Sequence, residues 1–328
     1  MKKFYVVYSL ECPSLSREEL RALFEIEAPH AKVIAEAEGL VLFEAEVEDL
    51  QRMFSRSAYM LEYGELLSYG SVADAEKIIK KALAEVDIEN PVLTVKSIKG
   101  CGKDFLSNFM KTFWTTSDKK REIVRVIVSE GLVAVGIPLV KLKFSKTVRP
   151  RAKTVTGAMD PRLSRALVNI ARLRRGGIFL DPFCGTGNLA IEACGIGANR
   201  AICLDLDKSM CEASRDNSER SGTDECVKVV RGDARVMPLP NNSIDAIATD
   251  PPYGRSSSTR GERYDSLIEK FLRESLRMLK SEAHIVYLGP YESKPWLIAE
   301  KAGLILLKRL HLFVHRSLIR EVVIARVP

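Results

Sequence analysis

The stretch ATDPPYGR, residues 248–255, ends an apolar run in an acid, two prolines and a tyrosine. Pro251 and Pro252 each fix φ at about −65° and lack an N–H donor, so the chain after Asp250 is a stiff loop. The loop offers two acceptors, the Asp250 carboxylate and the Pro251 carbonyl oxygen, which suit the two hydrogens of a planar –NH2 group. Accepting both hydrogens returns the delocalised lone pair to nitrogen and stabilises the positive charge that develops as it attacks an electrophile. Tyr253 adds a flat face for stacking a base, so these four residues are the candidate catalytic group.

A second loop with a chemical signature is FLDPFCGTGNLA, residues 179–190. Gly185 and Gly187 let the backbone turn sharply and approach a ligand closely. Asp181, ahead of them, repels a pyrophosphate but suits a cation, such as the amino group of an amino-acid-like cofactor. No Gly-Lys-Ser/Thr follows, which excludes a phosphate-binding P-loop.

Further acids follow the next two expected strands. Asp205 in CLDLD lies where doubly wound folds place the acid that binds a ribose diol, and Asp207 competes for this role or caps the next helix. In RGDAR, Asp233 is placed to accept from an adenine amine and the Ala234 N–H to reach a ring nitrogen. A single acid is more often a cap, but acids at the carboxyl ends of successive parallel strands meet at one edge of a sheet.

The elements that must position these residues alternate between strands and helices from residue 157 onwards. This alternation predicts an α/β, Rossmann-like domain with a mostly parallel seven-stranded sheet. The last two strands, joined by the short segment HRSLIR, must be antiparallel. The preceding half has the pattern of a small α+β module, with an amphipathic helix at 71–85 and a further helix at 103–116.

Charge is distributed unevenly along the 328 residues, whose net charge is +7. Residues 1–93 carry −8, residues 94–153 carry +10 and residues 154–328 carry +5. The basic block favours a surface that binds a polyanion, against the alternative of a solvated basic face without a partner. The candidate residues for binding a polyanion, RNA in the family that the chain resembles (below), all lie within this block: Lys96, Lys99, Lys103, Lys111 and Arg149.

Composition excludes other classes of protein. No uninterrupted apolar run of about 18 residues exists, so no membrane span is expected. The seven cysteines form no CxxC pair and the four histidines share no ligand spacing, so no metal site is expected. The cysteines are expected to be reduced, as in a cytoplasmic protein.

The motifs DPFCGTG, LDLD, GDAR and TDPPYG, in this order, resemble those of the class I S-adenosylmethionine-dependent amino-methyltransferases. Upstream, RPRAKTVTGAMDPRLSRALVNIAR resembles the segment before the cofactor loop in THUMP-containing tRNA guanine-N2-methyltransferases. The resemblance is closest to the archaeal guanosine-10 enzymes, which are akin to the catalytic subunit of the eukaryotic two-subunit enzyme. It is strong over residues 148–328, whereas the N-terminal half matches in the order and size of its elements.

This resemblance implies a class I methyltransferase domain preceded by a ferredoxin-like and THUMP α+β module. The implied domains are a ferredoxin-like domain at 1–68, a THUMP RNA-binding domain at 69–145, a linker at 146–158 and the methyltransferase domain at 159–328.

The resemblance also implies S-adenosylmethionine as cofactor, bound by the residues of the glycine loop and the strand-end acids. These are Asp181, Gly185, Gly187, Asp205, Asp233 and Ala234, with Thr156 near the cofactor's carboxylate. The chain departs from the family pattern at Asn188, where a second glycine or a small residue is common. Some relatives require a small zinc-binding activator protein, and the expected docking place is the sheet edge at Val227–Val230, which is poor in protective charge.

The implied reaction is methyl transfer to the N2 amine of a guanosine in tRNA, with position 10 as the expected site and one or two methyl groups added. Asp250, Pro251, Pro252 and Tyr253 would then hold the amine of a flipped base. Three alternatives stay open: a guanosine elsewhere in tRNA or in rRNA, the N6 amine of adenine in a nucleic acid, and an RNA-binding protein with a degenerate methyltransferase fold.

Overall fold

The computed structural model describes residues 1–86, 91–100, 123–141, 159–253, 263–315 and 318–328. The chain divides into two compact units. The first comprises Met1–Leu20, Glu27–Phe54 and Tyr59–Lys143, and the second comprises Arg21–Ile26, Ser55–Ala58 and Phe144–Pro328. The predicted helix at 103–116 and the predicted linker at 146–158 lie outside the described residues. Among the helices of the described ranges, none is long and apolar enough to cross a membrane.

The first unit contains a seven-stranded sheet in the order β2-β3-β1-β4-β7-β6-β5. Neighbouring strands are antiparallel except β5 and β6, which are parallel. The strands are β1 (Lys2–Tyr8), β2 (Lys32–Ala37), β3 (Leu40–Ala45), β4 (Met60–Ser71), β5 (Val92–Lys99), β6 (Ile123–Ser129) and β7 (Leu132–Lys141). The N-terminal half also contains helices α1 (Pro13–Glu27), α2 (Val47–Arg56) and α3 (Ala75–Ala84).

Strand β4 joins the two parts of this sheet. Its 12 residues pair with β1 along one edge and with β7 along the other. The expected boundary between residues 68 and 69 falls inside β4, so the segments assigned to a ferredoxin-like and a THUMP domain share one continuous sheet. The division into these two domains stays a prediction.

Helix α3 is amphipathic, as the sequence predicts, and follows a 3-10 turn at Val72–Asp74. Its buried residues recur at helical spacing: Ala75, Ile78, Ile79 and Ala82. They pack against valines that β6 and β7 alternate onto one face, Val124, Val126, Val128, Val133 and Val135. The two periodicities, helical and alternating, therefore place one apolar layer between α3 and the sheet.

A buried carboxylate on β4 organises the charges of the first unit. Glu62 is 1% exposed, and its Oε1 accepts from the Tyr5 hydroxyl at 3.0 Å and lies 3.2 Å from Arg125 Nε. The Nζ atoms of Lys96 and Lys141 lie 3.9 and 4.0 Å from Oε2. Burying an isolated carboxylate costs several kcal/mol, and the surrounding cations offset this cost.

Replacing Glu62 by Gln should lower the free energy of unfolding by about 3 kcal/mol, because it leaves Arg125 nearly buried without its anion. Urea denaturation measures the loss, provided the slope m is unchanged. Glu65→Gln on the same strand is the matched control. Its pair with Lys2 is exposed and should contribute less than about 0.5 kcal/mol. Equal losses in the two variants would contradict the stabilising role of the buried cluster.

The second unit contains the α/β sheet, in the order β10-β9-β8-β11-β12-β14-β13. The first five strands in this order are parallel, and β14 is antiparallel to both β12 and β13, so the predicted fold class is confirmed. The strands are β8 (Ile178–Asp181), β9 (Arg200–Asp205), β10 (Val227–Arg231), β11 (Ile244–Thr249), β12 (Leu279–Pro290), β13 (Ile305–His315) and β14 (Leu318–Arg326). The helices are α4 (Pro161–Ile170), α5 (Asn188–Gly195), α6 (Lys208–Arg220), α7 (Tyr264–Met278) and α8 (Pro295–Ala302).

The strand order reverses beside β8. The chain runs from β8 outward to β9 and β10, and then returns to place β11 on the other side of β8. Ala246 and Ile247 of β11 lie opposite Phe179 and Leu180 of β8. In open α/β sheets, ligands bind at the carboxyl ends of the strands at such a switch point. The loops that follow β8 and β11 therefore flank the expected ligand site.

The expectation that all cysteines are reduced is wrong for four of them. Disulfides join Cys184 to Cys203 and Cys194 to Cys226. The two pairs are 19 and 32 residues apart in sequence, and the fold brings their members together. The backbone N–H of Ala201 donates to the Cys226 carbonyl, for example, which places Cys226 beside the start of β9. Neither separation resembles a short paired motif, so the spacing alone gives no signal for the pairing.

Candidate active site

Asp181 ends β8 and is buried. Its Oδ1 accepts from the Thr249 hydroxyl at 2.7 Å and from the Phe183 N–H at 3.3 Å. Burial raises the pKa of Asp181 to about 7; these two donors oppose the rise, and the negative charges of Asp205 and Asp250 add to it. Asp181 thus lies within electrostatic range of the acids that end two other strands, as the sequence predicts.

The glycine loop adopts a conformation that L side chains rarely take. Gly185 and Gly187 have φ of +50° and +84°. A Cβ on Gly187 would lie 2.4 Å from the Ser214 hydroxyl oxygen, whereas a Cβ on Gly185 would meet no atom within 4 Å. Gly187 caps α5, whose first residue, Asn188, donates from Nδ2 to the Met159 carbonyl at 2.8 Å. The loop therefore leaves open space above Gly185 and packs closely behind Gly187.

Asp205 braces this loop. Its Oδ2 accepts from the Gly185 N–H at 2.9 Å, and its Oδ1 accepts from the Asp207 N–H at 2.9 Å. Burial raises the pKa of Asp205, and these backbone donors oppose the rise. Asp207 caps α6, because its Oδ1 accepts from the N–H and hydroxyl of Ser209, both at 2.7 Å. The prediction that Asp207 is the cap is confirmed, and the ribose role of Asp205 stays a prediction.

Asp233 follows β10 and forms an ion pair that the sequence did not indicate. Arg235 Nε donates to both carboxylate oxygens at 2.9 and 3.0 Å, and the Arg235 N–H donates to Oδ1 at 2.9 Å. An adenine amine would have to share the carboxylate with Arg235. Ala234 lies between these two residues in the sequence and is buried in the core of the second unit.

Asp250 follows β11 directly, and its side chain is 20% exposed. The Tyr253 hydroxyl donates to Oδ1, and Arg320 Nη1 lies 3.4 Å from Oδ2. Burial raises the pKa of Asp250, and the Arg320 charge and the Tyr253 hydroxyl oppose the rise. Pro251 is buried and Pro252 half-buried. The loop therefore presents a carboxylate that two donors already orient.

The ring of Tyr253 is held on two sides. It packs edge-on against the ring of Tyr264, with centroids 6.0 Å apart, and the Arg320 guanidinium carbon lies 5.8 Å from its centroid. Burial raises the pKa of Tyr253, and the Asp250 charge adds to this, so the hydroxyl stays protonated and able to donate. Sequence reasoning anticipated the flat face of Tyr253 but not the hydrogen bond from its hydroxyl.

Sequence reasoning also missed two residues of this site. Thr249 is fully buried on β11, and a hydroxyl in that position requires a partner, which Asp181 supplies. Arg320 lies on β14, about 70 residues after Asp250, and belongs to none of the motifs. The signal that could have found Arg320 is topological. An antiparallel last strand begins at the edge where the parallel strands end, so its first residues lie near the acids of the site.

The predicted RNA-binding residues fall partly outside the described ranges, as do Thr156 and the residues between 254 and 262. Lys103, Lys111 and Arg149 are among those outside. Lys96 is half-buried beside Glu62, and burial lowers its pKa.

Lys99, the remaining member of that set, is an exposed residue of β5. It forms ion pairs with Glu38 and with Glu130, the latter at 3.4 Å. Its charge is therefore already partly neutralised within the protein. Among the described residues, no group of three or more His, Cys, Asp or Glu is arranged to hold a metal ion.

The chain is similar to known methyltransferases. The profile of the UPF0020 family, described as "RMKL-like, methyltransferase domain", matches residues 149–317. A tRNA (guanine(10)-N2)-dimethyltransferase of Methanothermobacter thermautotrophicus is 30% identical over 341 residues, covering 98% of this chain and 99% of that protein. A tRNA (guanine(6)-N2)-methyltransferase of Thermus thermophilus is 30% identical over 297 residues, covering 83% of this chain and 84% of that protein.

Among solved structures, the chain is similar in fold to TrmN from Thermus thermophilus. The TM-score is 0.54 and the sequence identity 21%, over 99% of this chain and 100% of that one. This similarity extends over both units and supports the fold.

Proposed function

Since the chain belongs to the family of archaeal tRNA guanine-N2-methyltransferases, we propose that it methylates the exocyclic N2 amine of guanosine 10 in tRNA. The cofactor is S-adenosylmethionine, which supplies an electrophilic methyl group. The proposal is carried by one observation: the Asp250 loop and the Asp181 loop flank the switch point of the sheet. The acid proposed to accept the amine and the acid proposed to bind the cofactor's amino group therefore lie at the same edge of the sheet.

The residues of the glycine loop fit this cofactor. Gly185 leaves open the space that a side chain would fill, and the loop is bordered by carboxylates. Asp181 would hold the cofactor's amino group and Asp205 its ribose hydroxyls, while Asp233 would accept from the adenine amine. These roles rest on the donor set and on the position of each acid at a strand end.

The chain's own residues supply the chemistry at the amine. Asp250 and the Pro251 carbonyl would accept the two hydrogens of guanine N2 and so raise its nucleophilicity. The positive charge that develops on nitrogen is stabilised by the ionised Asp250, which then accepts the proton or passes it to water. The half-buried ring of Tyr253 would limit access of water to this point.

The position of the target guanosine is testable with tRNA transcripts. Nucleoside mass spectrometry after incubation with the protein and cofactor should detect N2-methylated guanosine, and a transcript with adenosine at position 10 should lose it. A matching transcript altered at position 6 is the control, because the Thermus relative is named for that position. Loss of product only in the position-6 transcript would show that the target is guanosine 6 and not guanosine 10. Absence of N2-methylguanosine in every transcript would contradict the proposed substrate.

The pKa of Asp181 predicts how cofactor binding depends on pH. A cationic amino group binds the ionised acid, and with a pKa of about 7 most of Asp181 is protonated at pH 5.5. The affinity for S-adenosylmethionine should therefore rise roughly tenfold between pH 5.5 and 7 and then level off. Calorimetric titration across this range measures the slope. Asp181→Asn should bind more weakly with a flat profile, and an equally steep profile in this variant would assign the dependence to another group.

A partner protein is a further part of the proposal. Strand β10 lies at the free edge of the second sheet, and of its five residues Lys228 and Arg231 are exposed. A small zinc-binding activator would add a strand at Val227–Val230 and satisfy the edge's backbone groups. If the purified chain alone methylates tRNA fully, it does not require such a partner. A cytoplasmic location is likewise part of this proposal.

A further inference from the structure

Strand β14 brings a cation to the edge where the parallel strands end. Thr249 of β11 lies opposite Tyr287 of β12, and β12 continues to Pro290, which lies opposite Arg320 of β14. Because β14 is antiparallel, its first residues lie at the carboxyl edge of the sheet. Arg320 therefore sits two strands away from the residue that precedes Asp250, within reach of a long side chain.

The contacts of Arg320 are directed at the amine-binding loop. Its Nη1 lies 3.4 Å from Asp250 Oδ2, and its guanidinium carbon lies 5.8 Å from the centroid of Tyr253, within the range of a cation–π interaction. Its Nε is buried and has no hydrogen-bond partner in the part of the chain that the structure describes.

We propose that Arg320 is a positioning residue of the methyltransferase site, which holds Asp250 as an aligned carboxylate and keeps the Tyr253 ring beside it. This inference rests on the proposed function. The carboxylate must be ionised to stabilise the positive charge that develops on the amine, yet it stands in a partly buried site. Arg320 supplies the compensating charge from a strand that carries none of the sequence motifs.

The electrostatics of the loop agree with this role. Burial raises the pKa of Asp250, and the Arg320 charge opposes the rise more than the Tyr253 hydroxyl does. Asp181 on β8 faces it as another acid, and Tyr264 on α7 is a neutral phenol whose pKa is raised by burial and then by Asp250. Among these groups Arg320 is the one that carries a positive charge, so its removal leaves Asp250 easier to protonate.

The experiment measures single-turnover methyl transfer to tRNA from pH 5.5 to 9 with the full chain. Saturating cofactor keeps Asp181 ionised and therefore out of the profile. In Arg320→Gln the acid limb should move up by about one pH unit or more. The rate on the acid limb should thus fall further than the rate near pH 9, where Asp250 is ionised in both proteins, by up to about tenfold for each pH unit by which the limb moves. Arg320→Lys, which keeps the charge, should restore the limb to within about 0.3 units of the wild type.

Arg326→Gln is the matched control. It lies on the same strand and the same face, and it pairs with Glu282 away from the site, so its profile should match the wild type. An acid limb that stays in place in Arg320→Gln, or a loss that is equal at every pH and is not restored by Lys, would overturn the inference. If the wild type itself forms no N2-methylguanosine, the proposed function fails rather than the role of Arg320.

Discussion

Replacing Asp250 by Asn is expected to lower the rate of methyl transfer by about a thousandfold, while the dissociation constant of S-adenosylmethionine changes by less than about threefold. Asn has the same shape but carries no charge. Its NH2 group is a hydrogen-bond donor, so it repels the amine hydrogens from which the carboxylate would accept hydrogen bonds. Loss of one preorganised group that stabilises developing charge typically costs a factor of about 10² to 10³. Here the variant also leaves Arg320 without its anion, which places the effect at the upper end.

Single-turnover kinetics with saturating tRNA separate this effect from binding. The matched control is Asp245→Asn, the same substitution at the other end of β11. The Asp245 carboxylate accepts from the Ile178 N–H at 2.8 Å and pairs with Lys280 at 2.6 Å, so its loss should affect stability and not the rate. A normal rate in Asp250→Asn would place the amine site elsewhere. If the variant lost its affinity for the cofactor but kept a normal maximal rate, the role of Asp250 would be cofactor binding and not amine binding.

The acids whose positions in the fold agree with the sequence analysis share one property: each lies at the end of its own strand. Asp181, Asp205 and Asp250 follow apolar runs that could only be buried strands, and parallel strands end at one edge. Asp207 could be assigned as a cap because capping depends on the next two residues alone. Local patterns therefore fixed the fold class and the loops of the candidate site.

The features that escaped prediction depend on distant parts of the chain. Arg320 reaches Asp250 only because β14 runs antiparallel beside β12. The Cys194–Cys226 disulfide depends on the meeting of α5 with the segment before β10. The shared sheet of the first unit depends on β4 pairing at both edges. No periodicity within one segment encodes these pairings, since each is a choice among strands that look alike in sequence.

The two predicted RNA-binding cations that the structure describes both have carboxylates beside them. Lys99 is paired with Glu38 and Glu130, and Lys96 lies beside the buried Glu62. A lysine that a carboxylate already neutralises adds little net positive charge, so it displaces few of the counterions condensed on the RNA phosphates. These two lysines should therefore contribute little to tRNA affinity.

Replacing Lys103, Lys111 and Arg149 together by Ala should raise the dissociation constant of tRNA about tenfold or more and reduce the slope of log affinity against log salt by about 2. Lys99→Ala should change the dissociation constant by less than about threefold, since its carboxylate partners already neutralise its charge.

Substitution is preferable to deletion of the N-terminal half, because Arg21–Ile26 and Ser55–Ala58 belong to the unit that carries the candidate active site. Filter binding at several salt concentrations, with cofactor affinity as the folding control, measures both quantities. An unchanged salt slope in the triple variant would place the polyanion surface outside the basic block, and a large effect of Lys99→Ala would mean that the tRNA displaces its carboxylate partners.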